Sequence, residues 1–197
     1  MVIVSTLICL KKLCSALIQC HLDYCCTAWF AALPTTLKLN LQVTQNKMVR
    51  FILRLPVRSH IGQSEPNMLK FLNVTDRVCQ LRFNQVFKIK KDLSPLYLTA
   101  HFKQVNSVHN FSKRSNTSLN YFVPCVNSVD KTAFYYTAVK DWDNLPNVIK
   151  QQTCVRGFKH KVKTYLATRA LKRENSVFIW SQLIFVMLFI LVILVII

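Results

Sequence analysis

Eight carboxylates are scattered along the 197 residues: Asp23, Glu65, Asp76, Asp92, Asp130, Asp141, Asp143 and Glu174. Transfer or hydrolysis of phosphodiesters needs such groups clustered, because they must hold divalent cations against the reacting phosphate. Asp141 and Asp143 form the sole D-x-D pair. Two residues apart on a helix, they point about 200° away from each other and cannot clamp one ion. With Trp142 between them and Leu145-Pro146 just beyond, they read as a surface turn. Two glycines, Gly62 and Gly157, are too few for a glycine-rich phosphate loop. Neither G-x-S-x-G nor H-E-x-x-H occurs. Of eight cysteines, Cys9, Cys14, Cys20, Cys25 and Cys26 crowd into the first 26 residues. No C-x-x-C pair exists, and His21 beside Cys20 and Cys25-Cys26 matches no common structural-zinc spacing. Reduced, partly buried thiols are expected. The sequence predicts no enzyme, no metal, no cofactor and no small-molecule substrate.

What remains is the chemistry of surplus positive charge. The chain carries 26 Lys+Arg against 8 Asp+Glu, a net +18. Pairing every carboxylate would still leave eighteen bases without an acidic partner in the chain. Such a surface attracts polyanions, either RNA or DNA phosphate backbone or the anionic leaflet of a lipid bilayer. The candidate phosphate contacts are Lys47, Arg50 and Arg54, then Lys88, Lys90 and Lys91, then Arg156, Lys159 and Lys163. Contacts of this kind are independent of base sequence and sensitive to salt. Bases that only solvate helix faces would give the same pattern, and the sequence leaves both readings open.

Helices must position these groups. Residues 13–33 are apolar and read as a helix or helix pair ending before Leu33-Pro34, while Met1 to Leu10 is apolar but too short to span a bilayer. Thr35 or Thr36 is the expected N-cap of a second helix. Its apolar stripe runs through Leu37, Leu41, Met48, Ile52 and Leu55, with Lys47, Arg50 and Arg54 on another side and Pro56 closing it. Residues 57–66 read as a loop, Asn67 as the cap of a short helix to Leu72, and Asn73-Val-Thr-Asp as a new cap. A helix over Asp76 to Lys91 follows, with Cys79, Phe83, Val86 and Phe87 on one face. From Ala100 to Pro124 the pattern loosens. Thr132 to Trp142 is aromatic-rich and helical. A last helix carries Val155, Phe158, Val162, Tyr165 and Leu166 at i, i+3, i+7, i+10 and i+11.

The C-terminal end differs in kind. From Val177 to Ile197 only Ser181 and Gln182 are polar. Phe178 to Ile197 is twenty residues, and at ~1.5 Å per residue it is ~30 Å of helix, the thickness of a bilayer core. Trp180 lies at interfacial depth, and Arg169, Lys172 and Arg173 flank the segment on one side only. The positive-inside bias therefore predicts a single-pass anchor with the N-terminal body in the cytosol. The expected architecture is mainly α: a small helical body followed by a single C-terminal transmembrane helix. Its parts are an N-terminal helical segment (1–34), a basic helical region (35–175) loose over 100–130, and the membrane helix (176–197).

Six stretches carry a family resemblance. The first is Lys12-Leu13-Cys14-Ser15-Ala16-Leu17-Ile18 running on through His21-Leu22-Asp23-Tyr24-Cys25-Cys26-Thr27-Ala28-Trp29. The second is Leu41 to Leu53, containing Gln45-Asn46-Lys47-Met48-Val49-Arg50-Phe51-Ile52. Then come Leu93-Ser94-Pro95-Leu96-Tyr97-Leu98, Phe122-Val123-Pro124, Ala138-Val139-Lys140-Asp141-Trp142-Asp143-Asn144-Leu145-Pro146, and Phe158-Lys159 to Tyr165-Leu166. In this order and spacing, over residues 11–167, the chain resembles the region downstream of the polymerase domain in LINE-type non-LTR retrotransposon reverse transcriptases. The resemblance implies a largely helical, thumb-like region that helps to hold template RNA and primer DNA.

The departures matter as much. The palm with its Tyr-x-Asp-Asp metal site, the fingers and the endonuclease are missing, so no catalytic residue carries over. Asp143 stands where the family usually has Asn, Lys131-Thr132 replaces a common Gly, and the apolar tail is not a usual family ending. The expectation is a non-catalytic retroelement remnant that begins inside the parent protein, with nonspecific nucleic-acid affinity and a membrane anchor. The alternative expectation is a tail-anchored membrane protein whose basic body lies on anionic lipid.

Overall fold

A computed structural model describes residues 2–62, 64–108, 119–128 and 130–173. These residues are mainly helical, with no named strand among them. Extended backbone pairs at one isolated antiparallel bridge, Gln104 with Tyr121. No helix among the described residues is long and apolar enough to cross a membrane. The predicted span at 176–197, with Trp180, lies outside the described residues.

The chain is helical without a break from Val2 to Asp23, earlier than the expected start at residue 13. It begins as α1 (Val2–Cys14), passes through a π-helical turn at Ser15–Gln19 and ends as α2 (Cys20–Asp23). A short α3 (Cys26–Trp29) and a 3-10 turn at Phe30–Ala32 lead to Pro34. The second long helix, α4 (Thr35–Leu53), has Pro34 at its N-cap position and no side-chain cap. The expected threonine caps are instead its first two residues. Its buried positions are Gln45, Met48, Val49 and Ile52, whereas Leu37 is 46 % exposed. The apolar stripe thus holds at its C-terminal half, and a glutamine lies inside it.

Helix α5 (Ser64–Met68) contains Asn67 instead of being capped by it. Asn73 does cap α6 (Val74–Lys90), its side chain accepting from the Asp76 amide at 2.7 Å. This satisfies one of the amides that a helix start leaves without an intrahelical partner. Two one-turn helices follow, α7 (Leu96–Thr99) and α8 (Val105–Val108). A 3-10 turn at Asp130–Thr132 opens into α9 (Phe134–Asp143), and α10 (Asn147–Lys150) is a turn the sequence did not announce. The last described helix, α11, covers residues 155–173.

The main core is where α6, α9 and α11 meet. Phe83, Val86 and Phe87 from α6, Ala138, Val139 and Trp142 from α9, and Phe158, Val162 and Leu166 from α11 are all buried in it. Phe87 and Phe158 stack with ring centroids 4.1 Å apart, and Trp142 lies 5.9 Å from Phe158. The indole of Trp142 donates to the Leu119 carbonyl at 2.8 Å, so its one polar atom is satisfied. Two smaller clusters tie on the N-terminal half: Cys14 with Met48, Val49, Ile52, Ile61 and Leu69, and Cys26 with Phe30, Val74 and Val78.

The scarce carboxylates fasten helices together. Asp23 at the end of α2 takes Arg77 of α6 at 2.7 Å, and Asp141 of α9 takes Arg82 of α6 at 2.8 Å. Asp76, wholly buried at the start of α6, accepts from Arg169 at 2.8 Å and also from Arg173, both on α11. Among the described residues, four hold left-handed backbone, Cys25 (φ 47°), Arg54 (φ 53°), Lys70 (φ 56°) and Asp92 (φ 55°), and none is a glycine. A side chain in that region costs about 1–2 kcal/mol because its Cβ crowds the next carbonyl.

Candidate nucleic-acid interface

The nine bases singled out from the sequence fall into three settings. On α4, Lys47, Arg50 and Arg54 share one groove with Leu10, Phe51, Leu55 and Val57, a hollow of about 550 Å³. Lys47 and Arg54 are exposed. Arg50 is half-buried, and its Nε donates to the Ser59 carbonyl at 2.9 Å, which fixes the guanidinium at the groove wall. Phe51 is 58 % exposed and Val57 88 % exposed, so apolar surface lies open among the three bases. Arg54 ends α4 in left-handed backbone, its amide bonded to Arg50 and Phe51 carbonyls, and the turn closes with Leu55 N–H donating to Arg50 at 2.9 Å.

At the end of α6 the structure divides Lys88, Lys90 and Lys91. Lys91 is exposed and Lys88 half-buried. Lys90 donates to the Lys150 carbonyl at 2.9 Å, and burial pushes its pKa down, with Lys91 adding repulsion. Its role is to brace α10. Lys150 itself is buried, its ammonium donating to Asn120 Oδ1 at 2.9 Å and to the Asp143 carbonyl at 3.2 Å.

On α11, Arg156 and Lys159 are exposed. Lys163 instead lines a cavity of about 310 Å³ together with Lys11, Lys70 and Arg77. Sequence reasoning missed those three partners. No local pattern links residues 11, 70, 77 and 163. Burial lowers the Lys163 pKa, and Arg77, Lys11 and Lys70 lower it further. Among the described residues, no carboxylate lies within salt-bridge distance of Lys11, Lys70 or Lys163.

The residues expected to flank a membrane are partly committed elsewhere. Arg169 and Arg173 hold Asp76, while Lys172 is exposed. The Asp141 and Asp143 pair does not form the surface turn expected for it, because both are the closing residues of α9. Asp141 also accepts from the Cys79 thiol at 3.7 Å. Among the described residues, no three of His, Cys, Asp and Glu converge as metal ligands. All eight cysteines are free. No protein family, curated protein or solved structure matches the chain.

Proposed function

We propose that this chain is a non-catalytic helical module that holds single-stranded RNA or DNA by its phosphates, and that its apolar C-terminal segment tethers it to a membrane. The reading extends the resemblance to the post-palm region of LINE-type reverse transcriptases. The observation that carries it is the groove along the end of α4. Three bases, Lys47, Arg50 and Arg54, surround the open ring of Phe51. Single-stranded nucleic acid is bound in this way, with cations along the backbone and an aromatic face under a base. Arg156 and Lys159 on α11 and Lys91 after α6 are further exposed bases.

The test is a binding isotherm of the full-length chain, held in nonionic detergent, with a labelled single-stranded oligonucleotide across a salt series. Each neutralised phosphate contributes a slope of about −0.7 in log K against log salt, so the three groove bases give about −2. Lys47→Gln with Arg54→Gln flattens that slope by about 1.4. A slope near zero in the unaltered protein removes the nucleic-acid reading. The competing reading, a body lying on anionic lipid, gains support if the chain floats with anionic vesicles after the apolar segment is deleted. Bases near such a leaflet are worth about 1 kcal/mol each.

A further inference from the structure

The cavity beside Lys163 is distinct from the α4 groove, and no motif predicted it. We propose that it is a receptor for a terminal phosphate, a phosphomonoester at a strand end or on a mononucleotide. Its walls come from α1, the π-helical turn, α2, α4, the Lys70–Leu72 link, α6 and α11. The cationic groups are Lys11, Lys70, Arg77 and Lys163. Asp23 offsets Arg77, gripping it through Nε at 3.1 Å and Nη2 at 2.7 Å. Three ammonium groups remain. A backbone phosphodiester brings one negative charge, whereas a phosphomonoester brings about 1.5 to 2 at neutral pH. The charge of the site therefore matches the end of a strand better than its middle.

Apart from Phe71 and Leu72, the rest of the wall is polar and preorganised. Gln19, Gln45 and Gln80 are each more than nine-tenths buried yet line the cavity. Gln45 donates to the Leu72 carbonyl at 2.9 Å, Gln19 donates to Asp23 at 2.9 Å, and Gln80 accepts from Arg77 at 2.6 Å. Buried amides tied in this way hold a fixed shape and exclude apolar occupants. The π-helical turn at Ser15–Gln19 supplies two of the lining residues, and such turns recur at functional sites. Burial first, and repulsion from Arg77, Lys11 and Lys70 after it, depress the Lys163 pKa, and a bound dianion would reverse the repulsion.

The proposal depends on the nucleic-acid reading only for the source of the phosphate, and the experiment separates the two. Affinities of the full-length chain in nonionic detergent are compared for one oligonucleotide carrying a 5′-phosphate or a 5′-hydroxyl, with a nucleoside monophosphate as competitor. A preference of about tenfold for the phosphorylated end is expected, since a charge-assisted contact is worth a factor of that order. Lys11→Gln with Lys163→Gln abolishes the preference, whereas Lys161→Gln, exposed on the same helix, retains it. Equal affinity for the two ends, or a preference that survives the double substitution, overturns the proposal even if the salt-dependent binding persists. Where the end preference holds, competition by the monophosphate shows that a free nucleotide occupies the same site. In the unaltered protein, inorganic phosphate raises the thermal midpoint above chloride of equal ionic strength. The absence of that rise also overturns the proposal, whatever the variants do.

Discussion

Asp76 shows how much one side chain carries in a chain so poor in acids. It is wholly buried and receives two arginines from the far end of the sequence. Asp76→Asn keeps its shape and removes its charge, leaving both guanidinium groups without compensation. Breaking a fully buried pair costs about 3–5 kcal/mol. Here Arg169 and Arg173 retain 35 % and 52 % of their side-chain exposure, and solvent reduces the expected loss to about 1–3 kcal/mol. Urea unfolding of the variant measures it, and an unchanged midpoint would show that the clamp is idle. The cysteines give a second test at this scale. Burial raises the thiols of Cys26 and Cys79 to about 11, with Asp23 and Asp141 respectively adding to the rise. Cys154, exposed at the start of α11, is shifted down by the Gly157 and Arg156 amides. Since the thiolate is the reactive form, iodoacetamide should label Cys154 first and Cys26 and Cys79 last. Peptide mass spectrometry over a time course reads the order directly.

Among the elements, the junction of α6, α9 and α11 holds the C-terminal half together. Phe158 is wholly buried, stacked on Phe87 and close to Trp142. Phe158→Ala should cost about 3–5 kcal/mol, read from the denaturant midpoint at constant slope. A loss under about 1 kcal/mol would mean that the three helices do not share one core. This junction was legible in the sequence because its apolar residues recur at helical spacing, and Phe83, Val86, Phe87, Phe158, Val162 and Leu166 all proved buried. The Asn73 cap was legible for the same reason, being set by a few adjacent residues. Helix starts governed by backbone alone were not. Thr35 looked like a cap, yet Pro34 supplies the turn with its fixed φ of −63°. The first helix begins at Val2, earlier than the pattern predicts, because its opening residues lack the polar half that marks an amphipathic helix. The Lys163 cavity was beyond reach altogether, since its bases are brought together only by tertiary packing.

For the molecule as a whole, two solvents compete. The described body uses Asp23, Asp76 and Asp141 to tie its helices, so these carboxylates do little to neutralise the basic surface. The segment from Val177 to Ile197 has no charge at all. If that segment prefers lipid, full-length protein should sediment with membranes and need detergent for extraction, and deleting 177–197 should release the body into buffer. Full-length protein that stays in the supernatant without detergent would remove the anchor from the proposal. The left-handed residues set a further condition on the same body. Arg54 and Lys70 occupy backbone that suits glycine, yet each delivers a cation to a hollow. Lys70→Gly should therefore relax the chain by about 1 kcal/mol and loosen its hold on a phosphorylated end. Asp92→Gly should give the first effect without the second. Firmness and grip are in opposition at residue 70, so selection for a sturdier fold alone would erode the pocket.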